Sequence, residues 1–212
     1  LYTLREKAQR PKLRPAYQGS NPISDTWALV SLRMVDKYLI RAFTDPTDDE
    51  ARGMMLLAAS YAGIGFGNAG VHLPHGMSYP VSSMVRDYIP QGYNVDHPMI
   101  PHGMSVILNA PAVFRFTSSV NPQRHLDAAE ALGTDISNAK TEDAGKILAD
   151  CILQYMQKLS VPNGLKAIGF TEQDIPALVK GTLPQHRVTK LSPRSADAED
   201  LATMFEDAMR YW

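Results

Sequence analysis

Apolar and polar positions along this chain recur with a period of three to four residues, and almost nowhere with a period of two. From Trp27 to Ile40 the residues Trp27, Val30, Met34, Tyr38 and their neighbours fall at near-helical spacing. Asn21-Pro22-Ile23-Ser24-Asp25 before them has the capping and first-turn residues of a helix start, so a helix is predicted from about Asn21 to Phe43. Asp45-Pro46-Thr47-Asp48-Asp49 then reads as a turn and a second N-terminus, with acids suited to the helix dipole. The second helix runs from Asp48 to about Gly65, and its Ala58, Ala59, Ser60, Ala62 and Gly63 suggest close packing on a neighbour.

Further along, Val71–Tyr79 is compatible with a helix if Pro74 sits in its first turn. Residues 102–116 read as one helix kinked at Pro111, and 124–132 as a short amphipathic helix stopped by Gly133. The clearest amphipathic helix spans 140–159, with Leu148, Cys151, Ile152 and Met156 on one stripe. Helices over 171–181, capped by Thr171, and over 196–212 complete the pattern. With no convincing strand and no evident internal repeat, the expected fold class is all-α. The expected organisation is a connecting segment at 1–20 and one helical domain at 21–212.

Composition changes this picture little. A net charge of −1 gives no electrostatic case for nucleic acid or an anionic membrane. The only basic run, Arg5, Lys7, Arg10, Lys12 and Arg14, is broken by Pro11 and reads as a surface loop. No apolar run approaches the roughly 20 residues of a membrane span. The single cysteine, Cys151, excludes an internal disulfide, fits a reducing compartment and is expected to be an inert buried thiol.

The candidate chemistry is concentrated between Gly63 and Gly103. Four of the six histidines lie there, His72, His75, His97 and His102, just after a run of four glycines. Imidazole is the commonest side-chain metal ligand. On a helix, His72, His75 and Tyr79 would fall within roughly 60° of one another. His102 follows three intervening prolines, so only folding can bring it to His75. The glycines of the two His-Gly steps would let an ion and its substrate come near the backbone. Two histidines remain fewer than the three or more ligands of a catalytic metal. Gly65-Phe66-Gly67-Asn68 follows a helix rather than a strand, which removes a Rossmann reading; its glycines serve either a cofactor cleft or tight helix packing. Asp96-His97 is read as loop polarity rather than support for a metal. His125, His186 and the cations Lys180, Arg187 and Lys190 are read as solvated surface.

The motifs GIGFGNAG (63–70), HGMSYP (75–80), NVDHP (94–98) and PHG (101–103) resemble the signature of the iron-containing (group III) alcohol dehydrogenases. The likeness is strongest to the hydroxyacid-oxoacid transhydrogenase branch and extends from PAYQGSNPISD at 15–25 to DIPALVKGTLPQHRVTKL at 174–191. It implies the helical, C-terminal metal-binding domain of that family, whose fold is that of dehydroquinate synthase-like proteins. In the family one Asp and three His hold a divalent metal, and the HGM and PHG motifs supply the last two, here His75 and His102. Tyr79 takes the place of a further histidine near the nicotinamide, and Phe66 and Asn68 become candidate cofactor neighbours. The residues around 86–96, longer than in most of the family, should form a loop near the site.

The resemblance further implies Fe2+, Zn2+ or another divalent metal, and NAD(P). The partners implied are a small alcohol, hydroxy acid or oxo acid, with a homo-oligomer left open. The family's dinucleotide-binding domain and its Asp and first His ligands are expected upstream of Leu1, which leaves half a metal site here. The reaction implied is hydride transfer between an alcohol or hydroxy acid and nicotinamide. Alternatives are a dehydrogenase with exchangeable NAD(P), or a non-catalytic helical module that kept half of the site. A cytoplasmic location is expected, with the mitochondrial matrix as the alternative. Protonation is expected to compete with metal below about pH 6.

Overall fold

The computed structural model describes residues 7–212; Arg5, part of the basic run, lies outside them. Ten α-helices and several short 3-10 turns make up the ordered elements, and no strand occurs among the described residues. The helices are α1 (Pro22–Thr44), α2 (Asp49–Ala69), α3 (Leu73–Met84), α4 (His102–Ile107), α5 (Ala110–Thr117), α6 (Pro122–Ala131), α7 (Ala144–Lys158), α8 (Ile175–Thr182), α9 (His186–Thr189) and α10 (Ala198–Ala208). They divide into two compact units. One comprises the described residues up to Val71 with Asp127–Asn138; the other comprises His72–Leu126 and Ala139–Trp212.

The first unit is built on the antiparallel pair α1 and α2. Asn21 caps α1 by accepting from the Ser24 N–H at 3.1 Å, and Asp48 caps α2 by accepting from Ala51 at 2.9 Å. Between the helices lie Met34, Tyr38, Ala51 and Ala58, with Met54, Met55 and Tyr61 packed against them. The Ser31 hydroxyl donates to the Ala58 carbonyl at 2.8 Å across the seam. The glycine run departs from expectation, because α2 continues through it to Ala69 and ends only where Gly70 takes φ +83°. The reason is packing. A Cβ at Gly65 would lie 3.2 Å from the Ser24 carbonyl oxygen and against the backbone of Ala28, whereas Gly63 and Gly67 face open space. The segment before α1 runs beside the end of α2, with the Gln18 and Gly19 N–H groups donating to the carbonyls of Asn68 and Ala69.

In the second unit α3 is the central element, packed on α4, α5, α8 and α9. It begins as predicted, with Pro74 in its first turn, but carries on past Pro80 to Met84. Pro80 has no N–H to donate to the Gly76 carbonyl; the neighbouring helices hold the turn together instead. Leu73, Met77 and Val81 form the buried stripe of α3, meeting a core that includes Val113, Leu178 and Phe205. The single kinked helix expected over 102–116 is in fact two, α4 and α5, broken at Leu108-Asn109. Pro111 sits in the first turn of α5, where its missing N–H costs least. Thr171 forms a capping box with Asp174 ahead of α8, and Asp197 one with Asp200 ahead of α10. Cys151 is buried, as expected.

These contacts separate two glycines only two residues apart. Gly63→Ala should raise stability by about 0.5–1 kcal/mol, because a helix-interior glycine loses its entropy cost at no steric expense. Gly65→Val should lower it by about 1–3 kcal/mol by forcing α1 from α2. Urea unfolding checks both, and equal effects at the two positions would contradict this packing.

Candidate metal centre

The second unit brings together two of the histidines that the sequence singled out. His75 lies in the first turn of α3 and His102 opens α4. Their ring centroids are 5.3 Å apart at an interplanar angle of 61°. Two imidazoles on one ion, with metal–nitrogen bonds of about 2.0–2.1 Å and a near-tetrahedral angle, would have centroids roughly 5 Å apart. The pair therefore has the spacing of two ligands to one metal. Among the described residues no group of three or more His, Cys, Asp or Glu could hold an ion, so the pair by itself does not make a complete metal site.

Electrostatics keeps the pair suited to that role. Burial, and next the proximity of His102, lower the His75 pKa to about 4. Its imidazole stays neutral, with a lone pair free, throughout the neutral range. Proton competition at His75 consequently sets in near pH 4 rather than at the pH 6 that an ordinary imidazole would give. His102 is solvent-exposed and presents the open side of the pair. Tyr79 lies one turn beyond His75, and its ring stacks alongside His102, with centroids 6.5 Å apart and planes within 12°.

The two His-Gly steps prove to be unlike. A Cβ at Gly76 would come within 2.8 Å of the Thr189 methyl, so this glycine lets α3 close on α9 and does not open the site to an ion. Gly103 has nothing within 4 Å and leaves the approach to His102 clear. Gly181 plays the same packing part as Gly76, since a Cβ there would meet the Pro80 ring at 2.7 Å. α3 is thus pressed against α9 beside His75 and against α8 at Pro80.

The other candidates separate. His72, at the start of α3, turns away from the pair and packs edge-on to Phe114, centroids 6.5 Å apart. Its Nδ1 is buried without a partner, and its pKa is lowered to about 4 by burial, with His75 and His125 adding to the effect. His125 is not on the surface as expected: it is 8% exposed. Its Nδ1 lies 2.9 Å from the Asn121 carbonyl and its Nε2 3.0 Å from the Thr117 hydroxyl. With Nδ1–H donated to that carbonyl, Nε2 remains as an acceptor for the hydroxyl. The polar neighbours Thr117 and Asn121 precede His125 by eight and four residues, a signal that does not stand out in sequence. His97 pairs with Asp96 at 2.9 Å, both exposed, on the loop between α3 and α4. His186 is exposed, as are Lys180, Arg187 and Lys190.

In the first unit, Phe66 is 52% exposed near the end of α2. Asn68 uses its side-chain oxygen to accept from the Asn21 amide at 3.0 Å, holding the segment before α1.

A set of serines escaped the sequence reading. The tetrapeptide His-Gly-Met-Ser occurs twice, at 75–78 and 102–105, so a short internal repeat does exist. In each copy the serine hydroxyl donates to the carbonyl of its own histidine at 2.8 Å. Both serines are fully buried.

A helical body centred on α3, with imidazoles from two helices 5.3 Å apart, is the architecture to set beside known proteins. The chain belongs to the Fe-containing alcohol dehydrogenase family: the model of that family's C-terminal part matches residues 16–209. Among similar proteins is the hydroxyacid-oxoacid transhydrogenase, mitochondrial, of Rattus norvegicus, 56% identical over 212 residues, which are all of this chain and 45% of that protein. The Homo sapiens protein of the same name is 58% identical over 202 residues, 95% of this chain and 43% of that protein. The chain thus spans less than half the length of these relatives. Two solved structures share its fold. A 1,3-propanediol oxidoreductase superposes with a TM-score of 0.79 at 25% identity, covering 89% of this chain and 46% of its own. The sulfoacetaldehyde reductase of Bifidobacterium kashiwanohense, solved in complex with NAD+, gives 0.69 at 26% identity, covering 88% and 43%.

The buried histidine makes stability depend on pH. His72 titrates near its ordinary 6.5 when unfolded and at about 4 when folded. Between those values the unfolded chain binds more protons, so stability is full above about pH 6.5 and falls as pH drops toward 4. The loss from His72 alone should be about 3 kcal/mol. His72→Phe should flatten that part of the curve in urea unfolding between pH 7 and 4. An unchanged slope would contradict the burial of this ring.

Proposed function

We propose that this chain forms the metal-binding half of a hydroxyacid-oxoacid transhydrogenase, an enzyme that passes hydride between a hydroxy acid and an oxo acid by way of a nicotinamide. The observation that carries the reading is the 5.3 Å approach of His75 and His102 within a chain of this family. The relatives' name and their 56–58% identity favour it over a plain alcohol dehydrogenase with exchangeable NAD(P). They also favour the mitochondrial matrix over the cytoplasmic location expected from the sequence, since those relatives are named as mitochondrial. No single helix among the described residues is long and apolar enough to cross a membrane.

In this reading His75 and His102 hold the metal, and the Asp and further His of the family's set come from outside residues 1–212. When bound, the metal acts as a Lewis acid on the substrate oxygen and the nicotinamide donates or accepts the hydride. The rest is done by the chain itself. Burial keeps His75 neutral, so that it offers a lone pair and not a proton. The exposed imidazole of His102, backed by the Tyr79 ring, leaves one side of the centre open to a small substrate. Tyr79 is proposed as a neighbour of the nicotinamide. Phe66 and Asn68 are proposed as cofactor neighbours on the family resemblance alone, with Asn68 offering its amide N–H groups because its oxygen is engaged by Asn21.

The test is made in the full-length protein. His75→Ala and His102→Ala should each lose the bound metal and reduce turnover by more than about 100-fold, beyond what loss of an outer hydrogen-bond partner costs. Elemental analysis and hydride exchange between a hydroxy acid and an oxo acid check this. Metal content and turnover that survive either substitution would refute the assignment.

A further inference from the structure

We propose that Ser105 is the positioning residue of this centre, and that with Ser82 it fixes the register of α4 against α3 and so the gap between His102 and His75. The proposal rests on the reading of those histidines as ligands. α4 is only six residues long, opens directly on His102 and has no side-chain cap. A helix that short does not hold its own first turn, so something else must fix the His102 backbone.

Ser105 supplies that restraint. Its hydroxyl donates to the His102 carbonyl at 2.8 Å and accepts from the Ser82 hydroxyl of α3 at 3.0 Å. Its N–H donates to the Pro101 carbonyl at 3.0 Å, and its own carbonyl accepts from the Asn109 amide at 2.8 Å. Every polar atom of this fully buried residue is engaged, on the residue before His102, on His102, on α3 and on the break before α5. On α3, Ser78 makes the matching bond to the His75 carbonyl. The repeated His-Gly-Met-Ser therefore places each imidazole on a backbone tied by its own serine, and Ser82 joins the two copies. α3 itself cannot slide, because Gly76 and Gly181 leave no space between it and α9 and α8. α4 is located by hydrogen bonding where α3 is located by packing.

The probe is Co2+ bound to the full-length apoprotein, read by titration and by its visible absorption. Ser105→Ala and Ser82→Ala should each weaken Co2+ binding by about ten-fold, the scale of lost outer-shell support, and should shift the absorption band. The double variant should bind no worse than Ser105→Ala alone, because Ser82 acts on the centre only through the Ser105 hydroxyl. Ser82→Thr, which keeps the hydroxyl at a half-buried position, should restore wild-type affinity and spectrum. Ser83→Ala serves as the control: its hydroxyl makes a comparable bond within α3, to the Pro80 carbonyl at 3.2 Å, and should leave both readouts unchanged. Wild-type affinity and spectrum in Ser82→Ala or Ser105→Ala would overturn the proposal, as would an equal loss in Ser83→Ala. His102→Ala, run alongside, separates the two claims. If it loses Co2+ while Ser105→Ala does not, only the positioning role falls; if it keeps Co2+, the ligand assignment falls and this role with it.

Discussion

Contact between α3 and the pair α8 and α9 is the constraint on which the second unit depends. At two points along α3, one next to His75 and one at Pro80, the approach leaves no room for a Cβ: Gly76 against Thr189, and Gly181 of α8 against Pro80. Packing at this density is not continuously deformable, so the position of His75 is set by the core and not by its own side chain. The neutral state of His75 follows from the same burial. A tight core thus yields one proposed ligand that is both fixed in place and free of its proton. The second proposed ligand, His102, on a six-residue helix at the surface, has to be located by a different means.

How much of this was legible in the sequence depends on the range of the interaction that decided each feature. Helix existence was legible, because three-to-four-residue periodicity and caps such as Asn21 and Asp48 act locally. The convergence of His75 and His102 was legible only through the family motifs, since nothing in their spacing fixes a distance in space. Where the sequence misled, a tertiary contact overrode a local rule. The second helix was expected to end near Gly65, yet α2 continues to Ala69, and Gly65 is where it approaches α1 closely. Pro80 read as a helix end, yet α3 continues because α8 packs against the ring itself. His125 read as surface because its partners, Thr117 and Asn121, are unremarkable until the helices pack.

The serines show the opposite case, a signal present and passed over. His-Gly-Met-Ser stands twice in the sequence, and attention to its histidines and glycines hid the residue that repeats with them. One of the two glycines proved to be a packing residue, while both serines proved to be bonded to the histidine backbone. In a proposed half-site such as this, the residues that hold the two histidines are as informative as the histidines.

The central claim is that two imidazoles from separate helices close on one ion. An anomalous-difference map from crystals of the metal-loaded full-length protein tests it most directly. The account predicts a single peak within about 2.2 Å of one ring nitrogen of His75 and one of His102. A peak bonded to neither ring, or to only one of them, would contradict it.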